Sequence, residues 1–91
     1  MRIMALDIGE TRVGVAVSDP GERVASPVAV LPASEVLNCA KPFQRALEDW
    51  EPELLLCGLP YTMAGAEGPQ AARIRKAAKT ISDACGIPYE F

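Results

Sequence analysis

Residues 2–18 constrain the fold more than any other part of the chain. Two apolar stretches, 2–8 and 13–18, flank the short polar turn Gly9-Glu10-Thr11-Arg12. The second stretch alternates valine with small residues, the period-two pattern of a strand with one buried face. So short a connection makes the two strands antiparallel neighbours. Asp7 interrupts the first stretch near its end, and a carboxylate left there without a partner costs roughly 1–3 kcal/mol or more in desolvation. It either hydrogen-bonds the turn amides, as aspartates in turns do, or belongs to a metal or phosphate site at the mouth of a sheet. A hairpin can be turned without it, which favours the second role.

The rest of the chain completes an α/β pattern. Asp19-Pro20-Gly21-Glu22 is a strong turn signal before a third strand near 24–31, where Pro27 suits an edge. The period then changes. Pro42 fits the first turn of a helix, Phe43, Ala46, Leu47 and Trp50 follow at helical spacing, and Pro52 ends it. The apolar run 53–57 reads as a buried strand parallel to the first. A glycine-containing loop, 58–68, leads into a long helix over 67–84, with Ala71, Ile74, Ala78, Ile81 and Cys85 on one face. Gly86 caps that helix, and 87–91 begins a last strand whose edge is free to pair with a neighbour. Three strands, a helix, a strand, a helix and a strand make a mixed sheet with flanking helices.

Composition narrows the chemistry. Ninety-one residues, almost half of them apolar, suit one small domain. The net charge of −3 gives no global argument for nucleic-acid binding, so any such surface is local. No apolar run approaches a membrane span, and a carboxylate at position 7 arrives too early for a signal-peptide core, so a cytoplasmic location is expected. The three cysteines, Cys39, Cys57 and Cys85, match no metal or disulfide spacing and read as small buried hydrophobes. There is no histidine, which removes imidazole-based nucleophilic catalysis and imidazole metal ligands. Carboxylate, hydroxyl, basic side chains and backbone amides remain. A hard cation such as Mg²⁺ or Mn²⁺ suits that set.

Strand direction says which groups can meet. Asp7 and Gly58-Leu59-Pro60 both follow the carboxyl ends of parallel strands, where open sheets bind ligands. Asp19 ends a strand running the other way, roughly 20 Å from Asp7 at strand rise, so the two are not a catalytic pair. Thr11 and Arg12 overhang the same crevice as Asp7, where they could touch a phosphate; Arg12 is equally a candidate solvated turn residue. Gly65 lies in the loop before a helix N-terminus, where glycines more often serve the turn but free amides also favour phosphate. Arg73, Arg75, Lys76 and Lys79 are four of nine basic residues; they form either a solvated helix face or a guide for a nucleic-acid backbone.

The segment Leu6-Asp-Ile-Gly-Glu-Thr-Arg-Val-Gly-Val-Ala-Val-Ser-Asp19, with Gly58-Leu-Pro-Tyr-Thr-Met-Ala-Gly-Ala-Glu-Gly-Pro-Gln-Ala71, resembles the YqgF family. Its members have an RNase H-like fold and are described as Holliday-junction-resolvase-like nucleases and as pre-16S rRNA nucleases. The resemblance covers nearly the whole chain. It implies a five-stranded sheet ordered 3-2-1-4-5 with its second strand antiparallel, so that residues 1–91 form the N-terminal portion of one domain. It also implies that Asp7 is a catalytic metal ligand for phosphodiester hydrolysis with Mg²⁺ or Mn²⁺. Thr11, Arg12, Gly65, Arg73, Arg75 and Lys76 are the candidate contacts to nucleic acid, either pre-rRNA in ribosome biogenesis or branched DNA.

The sequence departs from the family pattern in two places. Ala64 stands where members often carry Asp. Members also continue beyond the last strand into an Asp-Glu-Arg-Leu motif and a final helix with another acidic residue, so further metal ligands are expected beyond Phe91. Two-ion hydrolysis places its ions about 3.5–4 Å apart, and one carboxylate cannot hold both. This 91-residue chain is therefore expected to be inactive by itself. Two other functions share some features: nucleotide-phosphate binding of the actin-like ATPase and sugar-kinase type, which also opens with strand, Asp-x-Gly turn and strand, and a non-catalytic RNA-binding module. The oligomeric state stays open.

Overall fold

In the computed structural model, residues 1–18, 25–60 and 68–91 are described. They form β1 (Ile3–Ile8), β2 (Arg12–Ser18), β3 (Ala25–Pro32), α1 (Ala33–Leu37), α2 (Lys41–Trp50), β4 (Leu54–Cys57), α3 (Pro69–Cys85) and β5 (Tyr89–Glu90). The sheet order is β3-β2-β1-β4-β5. β1 pairs antiparallel with β2 and parallel with β4, as the apolar patterns require. The turn at 19–22 and the loop residues 61–67, with Asp19, Ala64 and Gly65 among them, lie outside the described residues.

Alternation along the central strands sorts the sheet into two unlike faces. Met4, Leu6 and Ile8 of β1, Val13, Val15 and Val17 of β2, and Leu55 and Cys57 of β4 are all buried on one face. Val36 of α1, Phe43 of α2, and Ile74, Ala78 and Ile81 of α3 join them in one core. Burying each large apolar side chain contributes about 1.5–3 kcal/mol relative to exposure. The opposite face carries Ala5, Asp7, Gly14, Ala16 and Leu56, and no helix covers it among the described residues.

The helix ends follow from their residues. Pro42 sits in the first turn of α2, where its missing N–H is no loss. α2 stops at Glu51, which takes a left-handed backbone (φ 47°) just before Pro52. α3 ends at Gly86 (φ 75°), whose N–H donates to the Ser82 carbonyl at 2.8 Å. Glycine adopts that conformation without the Cβ penalty.

Several details differ from the sequence-based expectation. α1 has no counterpart in the sequence pattern, because five residues are too few to show a period. β5 is only two residues long, because its parallel pairing reaches just Leu55↔Tyr89 and Leu56↔Glu90. Of the cysteines, Cys57 is the buried hydrophobe expected, whereas Cys39 and Cys85 are half-buried. β3 is an edge strand, and the register skips Val28, since Val15 faces Ala29 and Ala16 faces Pro27. Pro27, lacking an N–H, stands at that bulge.

Candidate functional site

The site is built on the carboxyl end of β1. Asp7 lies between two buried residues and points to the uncovered face, where it is exposed. Its antiparallel partner is Gly14, and a Cβ there would stand 3.6 Å from the Asp7 Cβ. The bare backbone of Gly14 therefore leaves the carboxylate open on that side. On the other side the parallel ladder ends beside it, with Leu6 facing Cys57 and the Gly58 N–H donating to the Leu6 carbonyl at 3.3 Å. Asp7 and Gly58 thus meet at one edge, as strand direction predicted.

No hydrogen bond or ion pair of Asp7 is found among the described residues, so the reading in which it braces its own turn has no support there. The turn is closed by backbone instead. The Gly9 N–H donates to the Arg12 carbonyl at 2.9 Å. A Cβ at position 9 would come within 2.6 Å of that same oxygen, so the turn needs glycine here. The Thr11 carbonyl accepts the first N–H of α1, from Ala33, at 2.9 Å, while the side chains of Thr11 and Arg12 are exposed.

Asp7 borders an open groove of about 860 Å³ floored by Ala5, Gly14, Ala16 and Leu56. Arg75 and Phe91 stand on its rim, the guanidinium 4.8 Å from the ring centroid. Such a contact holds the cation over the negative ring face. Sequence reasoning does not single out Phe91 at the site, because it carries no titratable group and only the fold brings it to the rim of the Asp7 groove.

The basic residues of α3 do not share one surface. Arg75 lines the Asp7 groove, whereas Arg73 and Lys76 line a separate cleft between α3 and the β1–β2 turn. Arg73 is half-buried and donates to the Ile8 carbonyl at 3.0 Å and to the Gly9 carbonyl at 3.4 Å. Its Nε donates to the Gln70 side chain at 2.9 Å, and Gln70 donates to Glu10 at 3.1 Å. Lys79 pairs with Asp83 along the helix at 2.8 Å, and that carboxylate raises the lysine's pKa.

The donor chemistry at this edge suits a hard cation, since Asp7 offers carboxylate oxygen. The donor number does not. No group of three acidic or thiol side chains comes together among the described residues. Cys57 points into the core on the face opposite Asp7, and burial pushes its thiol up to about 11.

Comparison with known proteins agrees with the fold. The family model described as "RuvX: Holliday junction resolvase" matches residues 1–91. A Rhodospirillum centenum protein is 40% identical over 80 residues, 88% of this chain and 43% of its own length. Chloroflexus aurantiacus and Roseiflexus relatives are each 38% identical over 98% and 99% of this chain, which spans 58% and 64% of theirs. All three carry the name "Putative pre-16S rRNA nuclease". The chain thus spans 43–64% of the length of these three relatives. Among solved structures, Thermus thermophilus RuvC in complex with Holliday junction substrate superposes with a TM-score of 0.56 at 16% identity, covering 98% of this chain and 62% of that one. At that identity the likeness concerns the fold, which is RNase H-like.

Proposed function

The chain belongs to the RuvX family, and we propose that it is the N-terminal portion of a metal-dependent nuclease that hydrolyses phosphodiester bonds in structured nucleic acid. One observation carries this reading: a carboxylate on a central strand, exposed beside Gly58 at the edge where two parallel strands end and bordering an open groove. The name shared by relatives at 38–40% identity favours pre-16S rRNA over branched DNA, and cleavage at its 5′ end, a step of ribosome biogenesis, is the proposed reaction.

Divalent-metal dependence is part of the proposal. Mg²⁺ or Mn²⁺ would supply charge neutralisation and an activated water. Asp7 offers one hard ligand, and the remaining ligands would come from outside the described residues. Arg75, on the groove rim, and the exposed Thr11 and Arg12 are the proposed contacts to the backbone phosphates, with Lys76 in the neighbouring cleft; Gly65, also proposed, lies outside the described residues. No helix among the described residues is long and apolar enough to cross a membrane. A cytoplasmic site of action fits the proposed substrate.

The test joins this chain to the remaining C-terminal part of the Roseiflexus relative. The chimera and the 91-residue chain are then offered a 5′-extended 16S rRNA precursor and a four-way DNA junction, with Mg²⁺, Mn²⁺ or chelator. The chimera should cleave RNA only with metal, and the chain alone should not cleave. A folded chimera whose Asp7→Asn variant cleaves as well as its parent would overturn the assignment. In parallel, calorimetric titration with ATP and Mg²⁺ should give no heat of binding; tight binding would favour the ATPase-type alternative.

A further inference from the structure

We infer that Arg73 is a positioning residue, which continues the sheet where β4 stops and thereby fixes the backbone that aims Asp7. The argument starts from strand geometry. Carbonyls two residues apart on a strand point to the same side. On β1, the Leu6 carbonyl points to β4 and accepts the Gly58 N–H at 3.3 Å. The next carbonyl on that side belongs to Ile8, and the β1–β4 register ends at Leu6↔Cys57, before reaching it. The Arg73 guanidinium takes the place of the missing strand. One terminal nitrogen donates to the Ile8 carbonyl at 3.0 Å and the other reaches the Gly9 carbonyl at 3.4 Å.

The fork itself is held. Its Nε donates to Gln70, three residues earlier and so on the same helix face. The Gln70 amide then donates to the Glu10 carboxylate at 3.1 Å. One turn of α3 therefore grips residues 8, 9 and 10, the three that follow Asp7. Arginine suits this task because a planar fork serves two acceptors in fixed directions, whereas an ammonium is a single point charge. Three of the guanidinium's five N–H groups are engaged in these bonds. This assigns Arg73 a role different from that of Arg75, which stands on the Asp7 groove.

The inference rests on the nuclease reading for its functional consequence but not for its structural one, and two measurements keep them apart. In the 91-residue chain, Arg73→Met and Arg73→Lys should speed amide exchange of Gly9 at least tenfold, while Met4 and Val15 amides in the centre of the sheet stay within twofold of the parent. In the chimera, both variants should lower kcat at least tenfold with little change in KM. The salt dependence of RNA binding should keep its slope, because no phosphate contact is lost. Unchanged Gly9 exchange would overturn the inference whatever the nuclease result. So would a salt slope flattened by about 0.7, the loss of one single-strand phosphate contact, with kcat intact. Cleavage surviving Asp7→Asn would instead count against the nuclease reading, leaving the exchange result to judge Arg73.

Discussion

Asp7→Asn removes one charge and almost no volume, so it asks whether the carboxylate serves the fold or the chemistry. Asp7 is exposed, and it has no hydrogen bond or ion pair among the described residues. A surface substitution of that kind changes stability by about 0.5 kcal/mol at most. For a domain of 91 residues, 1 kcal/mol corresponds to roughly 4–8 °C in Tm. The melting temperature should therefore move by no more than about 2–4 °C. A carboxylate that braced its turn would contribute more: a lost hydrogen bond to a charged group costs about 1.5–3 kcal/mol, or roughly 6–24 °C on the same scale. Circular-dichroism melts of the chain at neutral pH separate these cases. In the chimera, cleavage should fall at least ~100-fold, since even partners one step removed from a metal cost 10–100-fold when lost. A variant that melts more than about 8 °C lower and still cleaves would refute the reasoning, because the carboxylate would then be structural.

Three further outcomes follow from the packing. Phe43 is the one fully buried residue of α2, so Phe43→Ala should cost about 3–5 kcal/mol in urea unfolding, a large share of the ~5–15 kcal/mol typical of a domain. Gly9→Ala should destabilise by about 1 kcal/mol or more, because its Cβ would press within 2.6 Å of the Arg12 carbonyl, and it should perturb Asp7 and Ile8 resonances before distant ones. For Cys57, burial raises the thiol from 9.0 to about 11. The native state then holds its proton where the unfolded state has lost it, so this contribution is complete below pH 9 and disappears as pH rises through about 11. Denaturant unfolding at pH 8, 9.5 and 11 should show that alkaline loss in the parent and a shallower one in Cys57→Ala.

Much of this architecture was legible in the residues because period-two alternation and turn chemistry speak directly about strands. The hairpin, the parallel strand 54–57 and the Gly86 cap all follow from local pattern. The split among the basic residues does not. At 3.6 residues per turn, Arg75 lies about 200° around α3 from Arg73, whereas Lys76 lies within about 60° of it. A helical wheel gives that separation but not which side faces Asp7. Arg73 is engaged because β4 ends one hydrogen bond too early to reach Ile8, and the length of a neighbouring strand is not written into the helix that compensates for it.

The alternation of β1 also limits how this site can change over generations. An acid moved one place along the strand, to position 6 or 8, would enter a core where Leu6 and Ile8 are 2% and 4% exposed. Moved two places forward it would meet position 9, where the turn admits no side chain. Two places back lies Ala5, on the same face but about 6–7 Å along the strand from the edge where Gly58 stands. The acid therefore has no neighbouring position on its own strand that keeps it both on the open face and at the Gly58 edge.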